Sequence, residues 1–209
     1  LAIGMMFAVA RRIPFADATM KQGLWEKKKL EGIELAGKTL GIIGMGNIGS
    51  AVAHRTAALG MQVLGYDPLV PADEITRRGA EPVTLETLYA RADFITIHIP
   101  LTPESKNMLS GQAFAQMKRG VRLIDAARGG VVDETALLGA LESGQVAAAA
   151  LDVFATEPPG LTALVAHPNV IATPHIGAQT EEAQTRAGDD IASEVIAALR
   201  GEPLRWKIV

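Results

Sequence analysis

Short apolar, β-branched runs alternate along this chain with stretches whose apolar residues return every three or four positions. The runs at 39–43, 62–66, 94–97, 121–124, 147–151 and 170–172 read as strands. The intervening segments that begin near Asn47, Ala72, Leu85, Ser110 and Asp133 read as helices. Strands of near-continuous apolar character, alternating with helices, predict a parallel sheet covered on both faces.

The two ends of the chain read differently. Ala2 to Arg12 predicts an apolar helix that Pro14 ends, and Phe15 to Lys21 a second short one. Trp25 stands in a polar segment and is expected to dock against another surface, while Lys27, Lys28 and Lys29 read as a solvated loop. A long final helix over 180–200 carries Ala183, Ala187, Ile191, Val195, Ile196 and Leu199 at helical spacing, with Gly201 at its C-terminal cap. The chain therefore divides into a helical arm or hinge (1–37), a nucleotide-binding domain (38–179) and a C-terminal helix with its tail (180–209). The arm finds little core of its own on this domain, so a two-fold homodimer is expected.

Between the first strand and the first helix of the central region stand Gly44, Met45, Gly46, Asn47, Ile48 and Gly49. This is a G-x-G-x-x-G turn in the context it needs. The first glycine allows the tight turn, the second lets backbone approach a pyrophosphate, and the third lets helix pack on strand. The new helix then presents free N–H groups and the positive end of its dipole. Asp67 closes the second strand, where a carboxylate accepts the hydrogen bonds of an adenosine ribose. Six strands with this first turn fit a doubly wound α/β fold of Rossmann type, in the order 3-2-1-4-5-6. The charge of Asp67 would repel a 2′-phosphate, which favours NAD over NADP, and Arg77-Arg78 read as too far along the chain to reverse that.

Composition narrows the field. With 209 residues, 48% of them hydrophobic, the chain can bury a substantial core. A net charge of −3 gives no reason to expect a nucleic acid partner. The absence of cysteine excludes disulfides, thiolate metal sites and Cys nucleophiles, and no metal site is predicted. The longest apolar runs are too short to span a bilayer. Leu1 to Ala10 lacks the basic start and cleavage pattern of a signal peptide, so a cytoplasmic location is expected, with no membrane partner. The chain opens on Leu1 inside a predicted helix, so a preceding segment is expected.

In open parallel sheets ligands bind beyond the carboxyl ends of the strands. The segments that leave those ends hold the unusual polar residues: His98 to Thr102, Asp125 to Gly130, Asp152 to Pro159 and Thr173 to Ala178. Arg128, Glu157 and His175 form a chemically sensible set. Histidine exchanges protons near neutral pH, and a carboxylate on its other ring nitrogen would fix the tautomer. Arginine binds a carboxylate bidentately and polarises a neighbouring carbonyl. Beside a nicotinamide, the set suits hydride transfer at a 2-hydroxy or 2-oxo acid. Each residue also has a plainer reading, as a buried histidine, a local carbonyl donor or a solvated turn. His54, His98 and His167 read as structural, and Asp17, Asp73, Asp189 and Asp190 as helix surface.

With these residues in view, the chain resembles the D-2-hydroxyacid dehydrogenases. The segments that carry the likeness are Gly41–Gly49, His98–Thr102, Ala127–Glu134, Ala149–Phe154 with Glu157-Pro158, and Pro174–Ala178. The early stretches Arg12–Pro14, Met20–Lys29 and Gly32–Leu40 look most like the phosphoglycerate branch. The resemblance implies that Arg128 binds and polarises the 2-oxo acid, that His175 is the acid and base, and that Glu157 is its carboxylate partner. It implies NAD as cofactor, with Gly44, Gly46, Asn47, Ile48 and Gly49 on the pyrophosphate and Asp67 on the adenosine ribose. Ile99, Pro100, Thr102, Ala126, Ala127, Arg128, Asp152, His175, Gly177 and Ala178 would line the cofactor.

The implied reaction is oxidation of D-3-phosphoglycerate to 3-phosphooxypyruvate in serine synthesis. Glyoxylate or hydroxypyruvate reduction and a non-catalytic NAD(H)-sensing corepressor are the alternatives. Two departures stand out. Asp125 occupies a position where the family often has Asn; it could pair with Arg128 or merely end its strand. Family members also build a substrate domain from residues before the first helix, toward which segment 180–209 would lead. The chain alone is therefore expected to bind NAD(H) and turn over poorly.

Overall fold

The computed structural model describes residues 1–206. The chain forms two compact units, the first spanning Leu1–His175 and the second beginning at Ile176.

In the first unit, α1 (Ala2–Arg11) ends at Arg12, whose left-handed backbone (φ 52°) turns the chain directly into α2 (Ile13–Lys21). Pro14 thus opens the second helix, where the sequence suggested it would close the first. It sits in the first turn, where no N–H partner is needed and its fixed φ already suits a helix. The Arg12 guanidinium donates to the Lys29 carbonyl (3.2 Å) and lies over the Phe15 ring. Lys27–Lys29 form an exposed 3₁₀ turn, which agrees with the solvated reading.

The alternating region follows: β1 (Thr39–Ile43), α3 (Asn47–Ala58), β2 (Gln62–Tyr66), α4 (Ala72–Arg77), β3 (Glu81–Pro82), α5 (Leu85–Arg91), β4 (Phe94–Ile97), α6 (Gly111–Gln116), β5 (Val121–Asp125), α7 (Glu134–Glu142), β6 (Val146–Leu151) and β7 (Val170–Ala172). Among the described residues these strands make one parallel sheet in the order β3-β2-β1-β4-β5-β6-β7. The doubly wound fold is as expected, with one strand more. β3 has two residues, one of them proline, and leaves no apolar run to detect. Its presence moves 94–97 from the sheet edge to the far side of β1. The chain reverses direction between β1 and β4, and a ligand crevice opens at such a switch point.

Side chains alternate across the sheet. Leu40, Ile42, Phe94, Ile124 and Ala150 face one way, into a cluster with Met5, Met6 and Val9 of α1 and Val52 of α3. Ile43, Ile95, Ile97, Leu123 and Leu151 face the other way, toward α5, α6 and α7. Each of the larger side chains among them contributes roughly 1.5–3 kcal/mol on burial. α1 is therefore part of the sheet's core and not a free arm. Exposed apolar residues in the first 37 include Leu1 and Phe7 at α1 and, on α2 and the loop after it, Ile13, Met20, Leu24 and Trp25 (78% exposed).

The second unit contains α8 (Glu181–Leu199). The Thr180 hydroxyl caps it by accepting from Ala183 N–H (3.1 Å), and Gly201 (φ 67°) follows its C-cap. The end of the predicted tail, 207–209, lies outside the described residues.

Candidate active site

The glycine turn is built from its backbone outward. Gly44 adopts φ 96°, and a Cβ there would lie 2.5 Å from the His98 carbonyl oxygen. A Cβ on Gly49 would lie 1.9 Å from the Gly44 carbonyl oxygen, so helix and turn touch without a side chain between them. Gly46 differs: its Cβ position has nothing within 4 Å. The two outer glycines serve packing, and the middle one leaves room. α3 has no side-chain cap, whereas the hydroxyl of Thr84 caps α5 and the carboxylate of Asp133 caps α7. First-turn N–H groups and open space beside Gly46 fit a pyrophosphate.

Asp67 braces that turn. Its carboxylate accepts from Met45 N–H (2.9 Å) and Leu69 N–H (2.9 Å). A carboxylate has about four acceptor sites, so two remain for a ribose. The cleft beside it, about 470 Å³, is lined by Tyr66, Asp67, Val83, Thr84 and Leu85 among others, a mixture suited to adenosine. Arg78 lies at the turn in spite of its distance along the chain. Its Nη1 donates to the Met45 carbonyl and its Nε to Glu74 (2.7 Å). The contact spans 33 residues and has no local sequence signal.

Across the switch point, Ile99 lies against Gly44. Thr102 N–H donates to the Ser105 hydroxyl (2.8 Å), which donates to the Pro100 carbonyl (2.8 Å), so this loop is internally tied. His98 is mostly buried, with Nε2 on the Thr96 hydroxyl (3.0 Å). Burial holds its pKa down to about 4, so it is neutral at pH 7.

The remaining loops converge. Arg128 is exposed, and its Nη1 donates to the Ala127 carbonyl (2.6 Å). Gly129 follows because its loop runs against the next one: a Cβ there would lie 1.8 Å from the Phe154 carbonyl oxygen. Glu134 Oε1 accepts from Ala155 N–H (2.6 Å) and ties the start of α7 to that second loop. Glu157 Oε1 accepts from Phe154 N–H (3.0 Å), and its Oε2 meets His175 Nδ1 at 2.8 Å. His175 holds a left-handed backbone (φ 51°), with its N–H on the Thr173 carbonyl (3.0 Å). The His175 bond, then the Phe154 N–H, hold the Glu157 carboxyl below its ordinary range; the charge of Arg128 adds to this. Arg128, Glu157 and His175 thus come together on one rim.

Beneath the rim lie two buried carboxylates. Asp152 Oδ1 accepts from the Thr173 hydroxyl at 2.5 Å. Asp125 accepts from Ala127 N–H (3.0 Å), so it shapes the loop that carries Arg128 without an ion pair to it. Ala126 is half-buried and Ala127 buried between these groups. Gly177 and Ala178 belong to the second unit, in the turn before α8.

Burial pushes the Asp125 carboxyl up to about 7; Ala127 N–H opposes this, and Asp152 and Glu134 reinforce it. An unfolded aspartate titrates near 3.9. Between those values the folded chain keeps a proton that the unfolded chain has lost. Its contribution to stability is therefore full at low pH and disappears as pH rises through about 7. Asp125→Asn is expected to raise stability more at pH 8 than at pH 5, by a few kcal/mol at most. Denaturant melts at both pH values check this; an equal effect at both would contradict it.

The chain is similar to known proteins along nearly its whole length. The description "D-isomer specific 2-hydroxyacid dehydrogenase, NAD binding domain" matches residues 3–177. D-3-phosphoglycerate dehydrogenase of Pongo abelii is 51% identical over 204 residues, which cover 98% of this chain and 38% of that protein. The enzyme of the same name from Methanocaldococcus jannaschii is 48% identical, over 97% of this chain and 39% of its own length. Among solved structures, a glyoxylate reductase from Paecilomyes thermophila superposes with a TM-score of 0.91 at 34% identity, covering 97% of this chain and 62% of that one. A D-lactate dehydrogenase from Aquifex aeolicus, complexed with NAD and lactic acid, gives 0.87 at 32% identity, covering 96% and 65%. The chain thus spans about two-fifths of the curated relatives it matches, and that part carries the glycine turn, Asp67 and the polar rim: it belongs to the D-isomer specific 2-hydroxyacid dehydrogenases, through their NAD-binding domain.

Proposed function

We propose that the protein oxidises a D-2-hydroxy acid with NAD, D-3-phosphoglycerate to 3-phosphooxypyruvate in the serine pathway, and that Arg128, Glu157 and His175 carry the protein's share of the chemistry. The observation that carries the reading is the 2.8 Å contact between His175 Nδ1 and Glu157 Oε2 on the rim that also holds Arg128. With Nδ1 committed to Glu157, proton exchange with the substrate hydroxyl runs through Nε2. The carboxylate stabilises the imidazolium that forms. Arg128 binds the substrate carboxylate and draws electron density from the carbonyl as it develops. NAD, when bound, supplies the hydride acceptor. Gly44, Gly46, Asn47, Ile48 and Gly49 hold its pyrophosphate and Asp67 its ribose. Ile99, Pro100, Thr102, Ala126, Ala127 and Asp152 line the remainder.

The choice of phosphoglycerate follows the roughly half-identical relatives of that name. Glyoxylate or hydroxypyruvate reduction is the second reading, favoured by the close superposition on a glyoxylate reductase. A substrate panel on the full-length protein with NAD(H) separates them. The highest kcat/KM is expected for D-3-phosphoglycerate and 3-phosphooxypyruvate; a preference for glyoxylate would replace the first reading by the second. We also propose a homodimer. Its support is the set of exposed apolar residues Ile13, Met20, Leu24 and Trp25 on α2 and its following loop. A monomeric mass by light scattering during the same work would remove that part.

A further inference from the structure

We propose that Arg78 is a cofactor-selecting residue: it fixes the glycine turn, and it makes Asp67 the main barrier to a 2′-phosphorylated dinucleotide. The inference rests on the NAD-binding reading of the turn. One residue, Met45, joins the two side chains. Its N–H donates to Asp67 Oδ2, and its carbonyl accepts from Arg78 Nη1. A residue spans at most about 3.6 Å of chain, so the guanidinium and the carboxylate flank one peptide segment at the place where the adenosine ribose would sit.

Arg78 is aimed there by its own helix. Nε donates to Glu74 Oε1, and the side chain is about one-third exposed. Among the described residues Nη2 meets no hydrogen-bond acceptor, so its two donors are available. Arg77 shares Glu74 and also pairs with Asp73. The cluster therefore holds three carboxylates (Asp67, Asp73, Glu74) against two guanidiniums (Arg77, Arg78). Neutralising Asp67 brings it to balance and leaves a guanidinium at the turn. A 2′-phosphate brings close to two negative charges and three strong acceptors, which an arginine meets with paired hydrogen bonds. In the native chain Asp67 repels that phosphate, and Arg78 holds the Met45 carbonyl and Glu74.

The test is a titration of the full-length protein with NADH and NADPH, followed by their fluorescence. NADH binding by the native protein first checks the reading on which the inference rests. Asp67→Asn is then expected to gain about 10- to 100-fold in NADPH affinity, the range of a charge-assisted contact. Adding Arg78→Ala should remove that gain, and Arg78→Lys should keep part of it. Asp67→Ser provides a second background should the Asn variant fold poorly. The decisive readout is the NADPH/NADH affinity ratio. If Arg78 only supported the turn, its loss would weaken both cofactors alike and leave the ratio unchanged. An unchanged ratio in the double variant, or no NADPH gain in either Asp67 variant that still binds NADH, would overturn the inference.

Discussion

Replacing His175 with asparagine is expected to lower kcat for hydride transfer by about 10²- to 10⁴-fold, the usual worth of a positioned acid and base, while the Kd for NADH stays within about twofold. The backbone makes this substitution informative. His175 sits at φ 51°, a region that asparagine tolerates better than most residues. The loop should keep its course while the titrating ring is lost. The 2.8 Å contact to Glu157 disappears with the ring, which removes the largest influence holding the Glu157 carboxyl low. That carboxyl should therefore titrate nearer its ordinary value in the variant. Single-turnover kinetics and an NADH titration make the comparison. Loss of NADH binding in parallel with kcat would show that His175 shapes the cofactor site, and its role as acid and base would then fail.

The second large effect is expected at Gly49. An alanine methyl there would lie 1.9 Å from the Gly44 carbonyl oxygen and 3.0 Å from its carbon. Backbone cannot yield as a flexible side chain can, so α3 must move away from β1. We expect Gly49→Ala to cost at least about 1–3 kcal/mol, the range for overpacking a close contact, and to weaken NADH binding by more than about tenfold as the turn opens. Gly46→Ala supplies the contrast. Its methyl meets nothing within 4 Å, so the folding cost is at most about 1 kcal/mol for the poorer N-cap. It would occupy the space assigned to the pyrophosphate and should still lose NADH. Thermal melts and titrations on both variants separate packing from binding. Unimpaired NADH binding by Gly46→Ala would place the phosphates elsewhere.

The sequence revealed the sheet wherever a strand is long and apolar. Runs such as 39–43 and 94–97 are buried on both faces, and such strands cannot hide in a sequence. Glu81–Pro82 could, because two residues bearing a charge and a proline carry no period. Its omission left Phe94–Ile97 on the wrong side of β1. The glycine turn was legible because its chemistry demands absent side chains at fixed spacing. Arg128, Glu157 and His175 stand out in the sequence because each follows the carboxyl end of a strand, and the fold brings Glu157 and His175 to 2.8 Å.

What was not legible is contact between segments distant in sequence. Arg78 reaches Met45, Glu134 reaches Ala155, and Thr173 reaches Asp152; each looks like ordinary surface or loop polarity until the chain is folded. The burial of α1 belongs with these. An apolar helix announces that it will be covered, but not by what, and here the cover is the domain's own sheet. Asp125 had two readings, and its bond to Ala127 N–H favours the one that shapes the strand's end.

In the proposed reaction a hydride passes between carbon 2 of a hydroxy acid and NAD at this rim. The most direct test supplies the full-length protein with D-3-phosphoglycerate deuterated at carbon 2 and analyses the reduced cofactor by mass spectrometry. One deuterium per NADH formed is the predicted result. Turnover with the deuterium released to water, or reduced cofactor without label, would contradict it.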